Sequence, residues 1–246
     1  MNPQGIREKG DRTPPPSLPA FLFFLLLLVP SAPGCRPNDY FLIHPLSPQP
    51  GIIRERLTFD RDRLRVHWIS HSPLAREPLP AILVHPDAGG LAGDMEGICL
   101  DLARRGYFAA AVHYQRLETP EKENPLFPWK FPGDVTVALD HMKNHPRVDG
   151  KRVGLLGYSK GGMLSLLIAS RDPSVKAVVS YYPLADFEEW LDPRKAPFPR
   201  SLWIRGARHR VLKELGAGSW EEAREALRAA SPIHQAERIQ PPVLLI

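Results

Sequence analysis

Apolar residues fall into two kinds of segment that alternate along the chain from Ile53 onward. Short apolar or alternating runs predict strands at Leu64–Ile69, Ala81–His85, Phe108–Tyr114, Arg152–Gly157, Val175–Tyr181 and Pro242–Ile246. Apolar residues at helical spacing predict helices at Met95–Arg105, Gly133–Asn144, Lys160–Ser170 and Trp220–Ala230. Strands that alternate with helices of this length are typical of α/β proteins. We therefore predict a mostly parallel sheet with helices on both faces, in one domain over residues 53–246.

The first 34 residues have the features of a secretory signal. Arg7, Lys9 and Arg12 precede the apolar run Phe21–Val29, and small residues follow it. The run is shorter than the roughly 20 apolar residues of a membrane span. We expect residues 1–34 to be a signal peptide and the protein to be exported, as a periplasmic, secreted or membrane-anchored protein. An uncleaved N-terminal anchor is the alternative.

Cys35 follows the small residues Ala32 and Gly34, as in bacterial lipoprotein signals. One attached lipid would tether the domain to a membrane rather than span it. The proline-rich residues 35–52 then form a linker. Cys99 lies in an apolar helical pattern and is expected to be a small buried residue. A disulfide between Cys35 and Cys99 after export is the alternative to lipidation.

Composition sets only broad limits. The chain has 246 residues, of which 43% are hydrophobic, and this supplies a core of ordinary size. The net charge of +5 is mildly basic. It is accompanied by no RNA-binding signature, zinc-ligand spacing or basic helical repeat. We therefore expect no nucleic-acid partner.

The strongest chemical signal is the sequence GYSKG at residues 157–161. It matches the G-x-S-x-G pattern, directly after a predicted buried strand and directly before a predicted helix, which is the context that a nucleophile elbow requires. Gly157 and Gly161 would let the strand and the helix pass each other closely. We predict that Ser159 is a nucleophile with an exposed hydroxyl group. The alternative is a turn in which Ser159 only caps the helix.

A second loop, HPDAGG at residues 85–90, follows another buried strand. In this architecture such a loop supplies one backbone N–H to the oxyanion hole, and the residue after the nucleophile supplies the other. Pro86 has no N–H. We therefore predict the N–H groups of Asp87 and Lys160 as the two donors, with Ala88 as the alternative to Asp87.

The segment Pro80–Ile246 resembles the dienelactone hydrolase and prolyl oligopeptidase branch of the α/β-hydrolases. HPDAGG is similar to their HGG-type loop, residues 145–170 are similar to their elbow strand and helix, and residues 231–246 are similar to the segment before their catalytic aspartate. The sequence SKGG at 159–162 is also similar to acyl-CoA thioesterase and acyltransferase relatives. The resemblance implies the α/β-hydrolase fold, acyl transfer to water, a small-molecule acyl substrate, and no metal or organic cofactor.

The sequence departs from the family pattern at its end. In these families the strand that matches residues 242–246 leads to a catalytic aspartate, and a histidine follows. We expect both residues beyond Ile246, the fold to be C-terminally incomplete, and the chain as written to be nearly inactive. Recruitment of Asp186 with His209 or His234 is the alternative, since these residues follow Ser159 in the required order.

A basic stretch lies within residues 186–218, which we expect to form a lid-like insertion. It runs from Arg194 to Lys213 with seven cations and no acidic residue: Arg194, Lys195, Arg200, Arg205, Arg208, Arg210 and Lys213. These cations either attract an anionic substrate or form a solvated surface. Lys160 is a cation at a helix N-terminus, where it opposes the helix dipole, and this indicates a role near the substrate.

These observations predict a serine hydrolase that cleaves an ester, lactone, thioester or peptide bond through an acyl-enzyme at Ser159. Two alternatives stay open. One is a thioesterase or acyltransferase that acts on a charged thioester. The other is a binding protein or fragment without catalytic activity.

Overall fold

The computed structural model describes residues 49–61, 64–117, 136–195 and 197–246. The predicted signal peptide, Cys35 with its tether or disulfide, and nearly all of the predicted linker lie outside these residues. Within them, no helix is long and apolar enough to cross a membrane.

The described residues form one seven-stranded sheet in the order β1-β2-β4-β3-β5-β6-β7. The strands are β1 Ile52–Arg61, β2 Leu64–Pro73, β3 Leu79–His85, β4 Phe108–Arg116, β5 Val148–Tyr158, β6 Val178–Tyr181 and β7 Val243–Leu245. β2 runs antiparallel to β1 and to β4, whereas β4, β3, β5, β6 and β7 pair in parallel. The predicted mostly parallel sheet is confirmed.

Helices cover both faces of this sheet, as predicted. The α-helices of the described residues are α1 Glu96–Arg104, α2 Val137–Lys143, α3 Lys160–Ala169, α4 Phe187–Trp190, α5 Arg200–Leu215 and α6 Trp220–Ala229. On one face, α2 and α3 pack on the sheet through Leu139 and Leu166. On the other face, α1 packs through Cys99, a free thiol that is fully buried as expected. Alternate residues of β3 face the two layers, with Leu83 in the first and Val84 in the second.

Three elements were not predicted: β1, α5 and the four-residue helix α4. β1 begins one residue inside the predicted linker, and its exposed and half-buried residues alternate. Charged residues on the solvent face of β1 interrupt the run of apolar residues that would have predicted a strand. In its second half only Leu57 and Phe59 pack against the core. The helix α5 lies in the stretch that we predicted as lid-like, and its many arginines mask a narrow apolar side.

The segment 186–218 packs on the rest of the domain through that narrow side. Phe187 and Leu191 near α4, and Ala207 and Val211 of α5, are buried together with Met163 and Leu167 of α3. The helix that carries the candidate nucleophile at its start is therefore covered by the sheet on one side and by this segment on the other.

Candidate active site

Ser159 lies at the sharp turn between β5 and α3. Its backbone has φ 51° and ψ −113°, a region that non-glycine residues rarely occupy. The turn is held by hydrogen bonds from Ser159 N to the Tyr181 carbonyl oxygen (2.7 Å) and from Met163 N to the Ser159 carbonyl oxygen (3.1 Å). The residue is exposed, and its side chain does not cap α3. The structure therefore places the Ser159 hydroxyl at the carboxyl edge of the sheet.

Glycines allow this turn because neighbouring backbone leaves no room for a side chain. A Cβ atom at Gly157 would collide with the Gly161 carbonyl oxygen. At Gly161 it would collide with the carbonyl oxygens of His85 and Pro86, and at Gly162 with the hydroxyl of Ser180. The glycine at 161 thus brings the start of α3 into direct contact with the loop after β3.

That loop is the predicted oxyanion loop, residues 85–90. Since the Pro86 carbonyl oxygen lies against Gly161, the N–H of the same trans peptide unit, which belongs to Asp87, points away from α3. Neither Asp87 N nor Ala88 N donates a hydrogen bond to a described residue, whereas Gly90 N donates to the Asp87 carbonyl oxygen (3.3 Å). The structure brings the loop against Gly161, two residues after Ser159, and among the described residues neither candidate donor of the loop is engaged. Their role in an oxyanion hole stays a prediction.

The side chain of His85, the first residue of this loop, is held between α3 and β4. Its ring is fully buried, with Nδ1 3.2 Å from the Ser165 hydroxyl of α3 and Nε2 3.2 Å from the Tyr114 hydroxyl of β4. Burial, with a contribution from the positive charge of Lys160, lowers the pKa of His85 to about 3. The ring is therefore neutral near pH 7. The sequence motif contains His85, but the two hydroxyl partners are distant in sequence and could not be inferred from it.

The ammonium group of Lys160 lies close enough to the loop of residues 85–90 to interact with Asp87. Burial lowers the pKa of its ammonium group to about 8, and the carboxylate of Asp87 opposes that shift. Its charge also adds to the burial that lowers the pKa of His113 to about 4. His113 accepts a hydrogen bond from Ala92 N at Nδ1 (3.0 Å). The Lys160 charge thus lies close to the oxyanion loop, which favours a role near a developing negative charge.

Three tyrosines surround the turn on the β6 side. The Tyr158 and Tyr181 rings stack at 4.7 Å, and Tyr182, 76% exposed, has a positive φ of 47°. Beyond them, the chain after β6 lines a cavity of about 410 Å³. Its apolar walls are Leu184, Trp190, Ile204 and Ile233, and its acidic residues are Asp186, Glu189 and Asp192. Because the carboxyl ends of parallel strands share one edge of the sheet, this cavity lies on the side of Ser159.

The alternative acid and bases do not assemble a relay. The Asp186 carboxylate caps α4 and accepts hydrogen bonds from Glu188 N (2.8 Å) and Glu189 N (3.2 Å). His209 is exposed on α5, and His234 lines a separate surface pocket with Glu221 and Arg224. Among the described residues, none of the three hydrogen-bonds to another of them or to the Ser159 hydroxyl. Asp186 is therefore a capping residue here, and the recruitment alternative gains no support.

No group of three potential metal ligands occurs in the part of the chain that the structure describes.

A family model described as "Dienelactone hydrolase family" matches residues 68–199, more than half of the chain. The protein from Bradyrhizobium sp. named "Probable 2-oxo-3-(5-oxofuran-2-ylidene)propanoate lactonase" is 28% identical over 133 residues, which cover 49% of this chain and 52% of that protein. Homo sapiens acyl-coenzyme A thioesterase 6 is 35% identical over 131 residues, which cover 48% of this chain and 30% of that protein.

Among solved structures, the acetyl xylan esterase from Paenibacillus sp. R4 is similar with a TM-score of 0.64 and 21% identity, covering 81% of this chain and 69% of that chain. At this identity the likeness concerns the fold alone. The chain spans about half the length, or less, of the two curated relatives described above.

Proposed function

The chain belongs to the dienelactone hydrolase family, and we propose that it is a serine hydrolase that cleaves ester or lactone bonds through an acyl-enzyme at Ser159. The observation that carries the proposal is the strained, exposed Ser159 at the strand-to-helix turn, two residues before Gly161, which contacts the loop after β3. Backbone strain of this kind costs about 1–3 kcal/mol and persists mainly at functional sites. A serine that only capped α3 would need no such strain.

In the proposed reaction the Ser159 oxygen attacks the carbonyl carbon of the substrate and its hydroxyl proton leaves. In the mechanism that the family implies, a histidine oriented by an aspartate takes this proton and then delivers it to the leaving oxygen. Water next attacks the acyl-enzyme and releases the acid. The described residues supply the nucleophile and the surroundings of the carbonyl oxygen.

Charge that develops on the carbonyl oxygen would be stabilised by the N–H groups of Asp87 and Lys160. One such preorganised donor is worth roughly 3–4 kcal/mol of transition-state stabilisation. The N-terminal end of α3 and the nearby Lys160 ammonium group add positive potential at the same place. The proposal therefore assigns stabilisation to backbone groups that the Gly161 contact and the His85 hydrogen bonds hold in place.

A thioester is the second candidate substrate. The thioesterase relative and the SKGG sequence at 159–162 favour it.

The test compares hydrolysis of a lactone, an acetyl ester and an acyl thioester by the full-length protein and by its Ser159→Ala variant. We expect Ser159→Ala to lower kcat by up to ~10⁶ for whichever substrate is cleaved. Ser201→Ala, a half-buried serine at the start of α5, is the control and should retain full activity. Equal rates for Ser159→Ala and the wild type would overturn the proposal, and the substrate ranking separates the two candidates.

A further inference from the structure

The outward side of α5 has a distinct composition. Its exposed side chains include Leu202, Arg205, His209, Arg210 and Lys213. At 3.6 residues per turn these five fall within an arc of about 140° around the helix. The buried residues Ile204, Ala207 and Val211 lie on the opposite side, against the rest of the domain. The helix therefore presents one continuous outer face, defined by the five exposed residues.

The cations of this outer face differ from the other basic residues of the same segment. Arg194 pairs with Asp192 (2.8 Å), and Lys195 pairs with Glu189 (3.1 Å). Arg208 lies over the Trp220 ring, 3.8 Å from its centre. In contrast, the side chains of Arg205, Arg210 and Lys213 form no ion pair or hydrogen bond with any side chain that the structure describes. Positive charge is thus concentrated on the outward side of the helix.

Apolar side chains accompany these cations. Leu202 is 55% exposed on the outer face, and Phe198, two residues before the helix begins, is 78% exposed. Single exposed apolar side chains are common on protein surfaces, but here two of them accompany a run of cations. A helix that lies in a membrane interface combines cations, which contact anionic headgroups, with apolar side chains, which enter the acyl boundary.

We propose that the outer face of α5 docks on a lipid bilayer that contains anionic lipids. Arg205, Arg210 and Lys213 contact the headgroups, and Leu202 and Phe198 insert beside them. The loss of one cation near such a surface is expected to weaken binding to the bilayer about fivefold. A nucleic acid would also attract the cations, but it offers no apolar environment for Leu202 and Phe198.

The experiment is sedimentation of the full-length protein with vesicles of phosphatidylcholine alone or with added phosphatidylglycerol. We expect tighter binding to the vesicles with phosphatidylglycerol, and loss of that difference in high salt, because the Debye length falls to about 3 Å at 1 M. The double variant Arg205→Gln, Lys213→Gln should bind them about 25-fold more weakly, from two cations at about fivefold each. All variants keep the same N-terminal residues, so any membrane binding by that segment is common to them. The ratio of vesicle affinities between two variants therefore reports the substituted positions alone.

Matched controls distinguish the effects of charge and apolar contact on α5 from those of the same substitutions elsewhere on the surface. Lys151→Gln, Lys176→Gln removes the same charge from exposed positions outside α5 and should bind as the wild type does. Leu202→Gln should weaken vesicle binding but not binding to a short DNA duplex. Leu74→Gln, at a leucine that is 71% exposed elsewhere, should change neither. Thermal unfolding of each variant checks that it is folded.

Two results would overturn the proposal. One is equal vesicle binding by the Arg205, Lys213 double variant and by the Lys151, Lys176 control. The other is vesicle binding that ignores Leu202→Gln while a DNA duplex binds more tightly than the vesicles, which would make the outer face a site for nucleic acid.

Discussion

His85 is buried at the start of the loop of residues 85–90 and anchors that loop to α3 and β4. Its ring hydrogen-bonds to Ser165 of α3 and Tyr114 of β4, and its backbone lies two residues before Asp87, a candidate oxyanion donor. The residue does not touch the substrate in our proposal. It is a positioning residue, which holds the loop against the start of α3.

We predict that His85→Ala lowers kcat for the cleaved substrate by about 10- to 100-fold and changes KM little. The reason is that a displaced oxyanion donor loses transition-state stabilisation, for which a full loss costs about 10²–10³ in kcat. His85→Asn, which can keep one of the two hydrogen bonds, should recover part of kcat. Steady-state kinetics on folded variants measure this split. A lower melting temperature with unchanged kcat would show a purely structural role.

For single residues, the sequence predicted the structure where only one residue type fits a position, as with a glycine in a tight turn. The predicted turn at Ser159 is confirmed in the structure because the glycines around it have no substitute. Tyr114 and Ser165 gave no such signal, since a hydroxyl that pairs with a buried ring looks like any other hydroxyl in a sequence. The interaction of the Lys160 charge with Asp87 was missed for the same reason: it joins the start of α3 to the loop after β3, which are distant in sequence.

Between elements, the contact of α3 with the loop after β3 depends on the absence of one side chain. We predict that Gly161→Ala lowers the free energy of unfolding by about 1–3 kcal/mol, because its Cβ would collide with the carbonyl oxygens of His85 and Pro86. The same displacement should lower kcat. Urea unfolding and steady-state kinetics measure the two effects.

Gly206 of α5 is the matched control for that substitution. Nothing lies within 4 Å of a Cβ built there, so Gly206→Ala should stabilise the protein by about 0.5–1 kcal/mol through helix propensity. If Gly161→Ala proved as stabilising as Gly206→Ala, the close contact between α3 and the loop would be refuted.

Elements with a strong apolar run were predictable, and elements with one charged side were not. β3, α3 and the second half of β5 lie in the centre of the domain and are largely apolar. The first residues of β5, 148–151, include Asp149 and Lys151 and were not predicted as strand. β1 at the sheet edge and α5 at the outside bury only one side each, so their charged residues dilute the pattern. The start of β6 was also placed too early: residues 175–177 precede the strand, which begins at Val178.

The whole molecule should lose stability in mild acid because of its buried neutral histidines. Burial lowers the pKa of His85 to about 3 and that of His113 to about 4, whereas an unfolded histidine has a pKa near 6.5. Below pH 6.5 the unfolded state therefore binds more protons than the folded state, and the free energy of unfolding falls as the pH falls. The slope is at most about 1.4 kcal/mol per pH unit for each histidine.

Urea unfolding between pH 6.5 and 4.5, above the range in which most carboxylates titrate, measures this slope. The His85→Asn variant should show a smaller slope than the wild type, by up to about 1.4 kcal/mol per pH unit. Identical slopes for the two proteins would contradict a buried neutral His85.

Export, the signal peptide and the tether at Cys35 remain predictions from the N-terminal sequence, and the proposed docking of α5 on a bilayer does not depend on them. The fold of the whole domain followed from the alternation of strands and helices. The surface that α5 presents did not, because it arises from which side of the helix the core covers.

The central claim is that Ser159 is the nucleophile. The measurement that tests it most directly is mass spectrometry of peptides from the full-length protein after reaction with a fluorophosphonate probe. We predict one labelled residue, Ser159, no labelling of the Ser159→Ala variant, and unchanged labelling of Ser201→Ala. Labelling at another serine, or an unlabelled Ser159 in a protein that hydrolyses its substrate, would contradict the account.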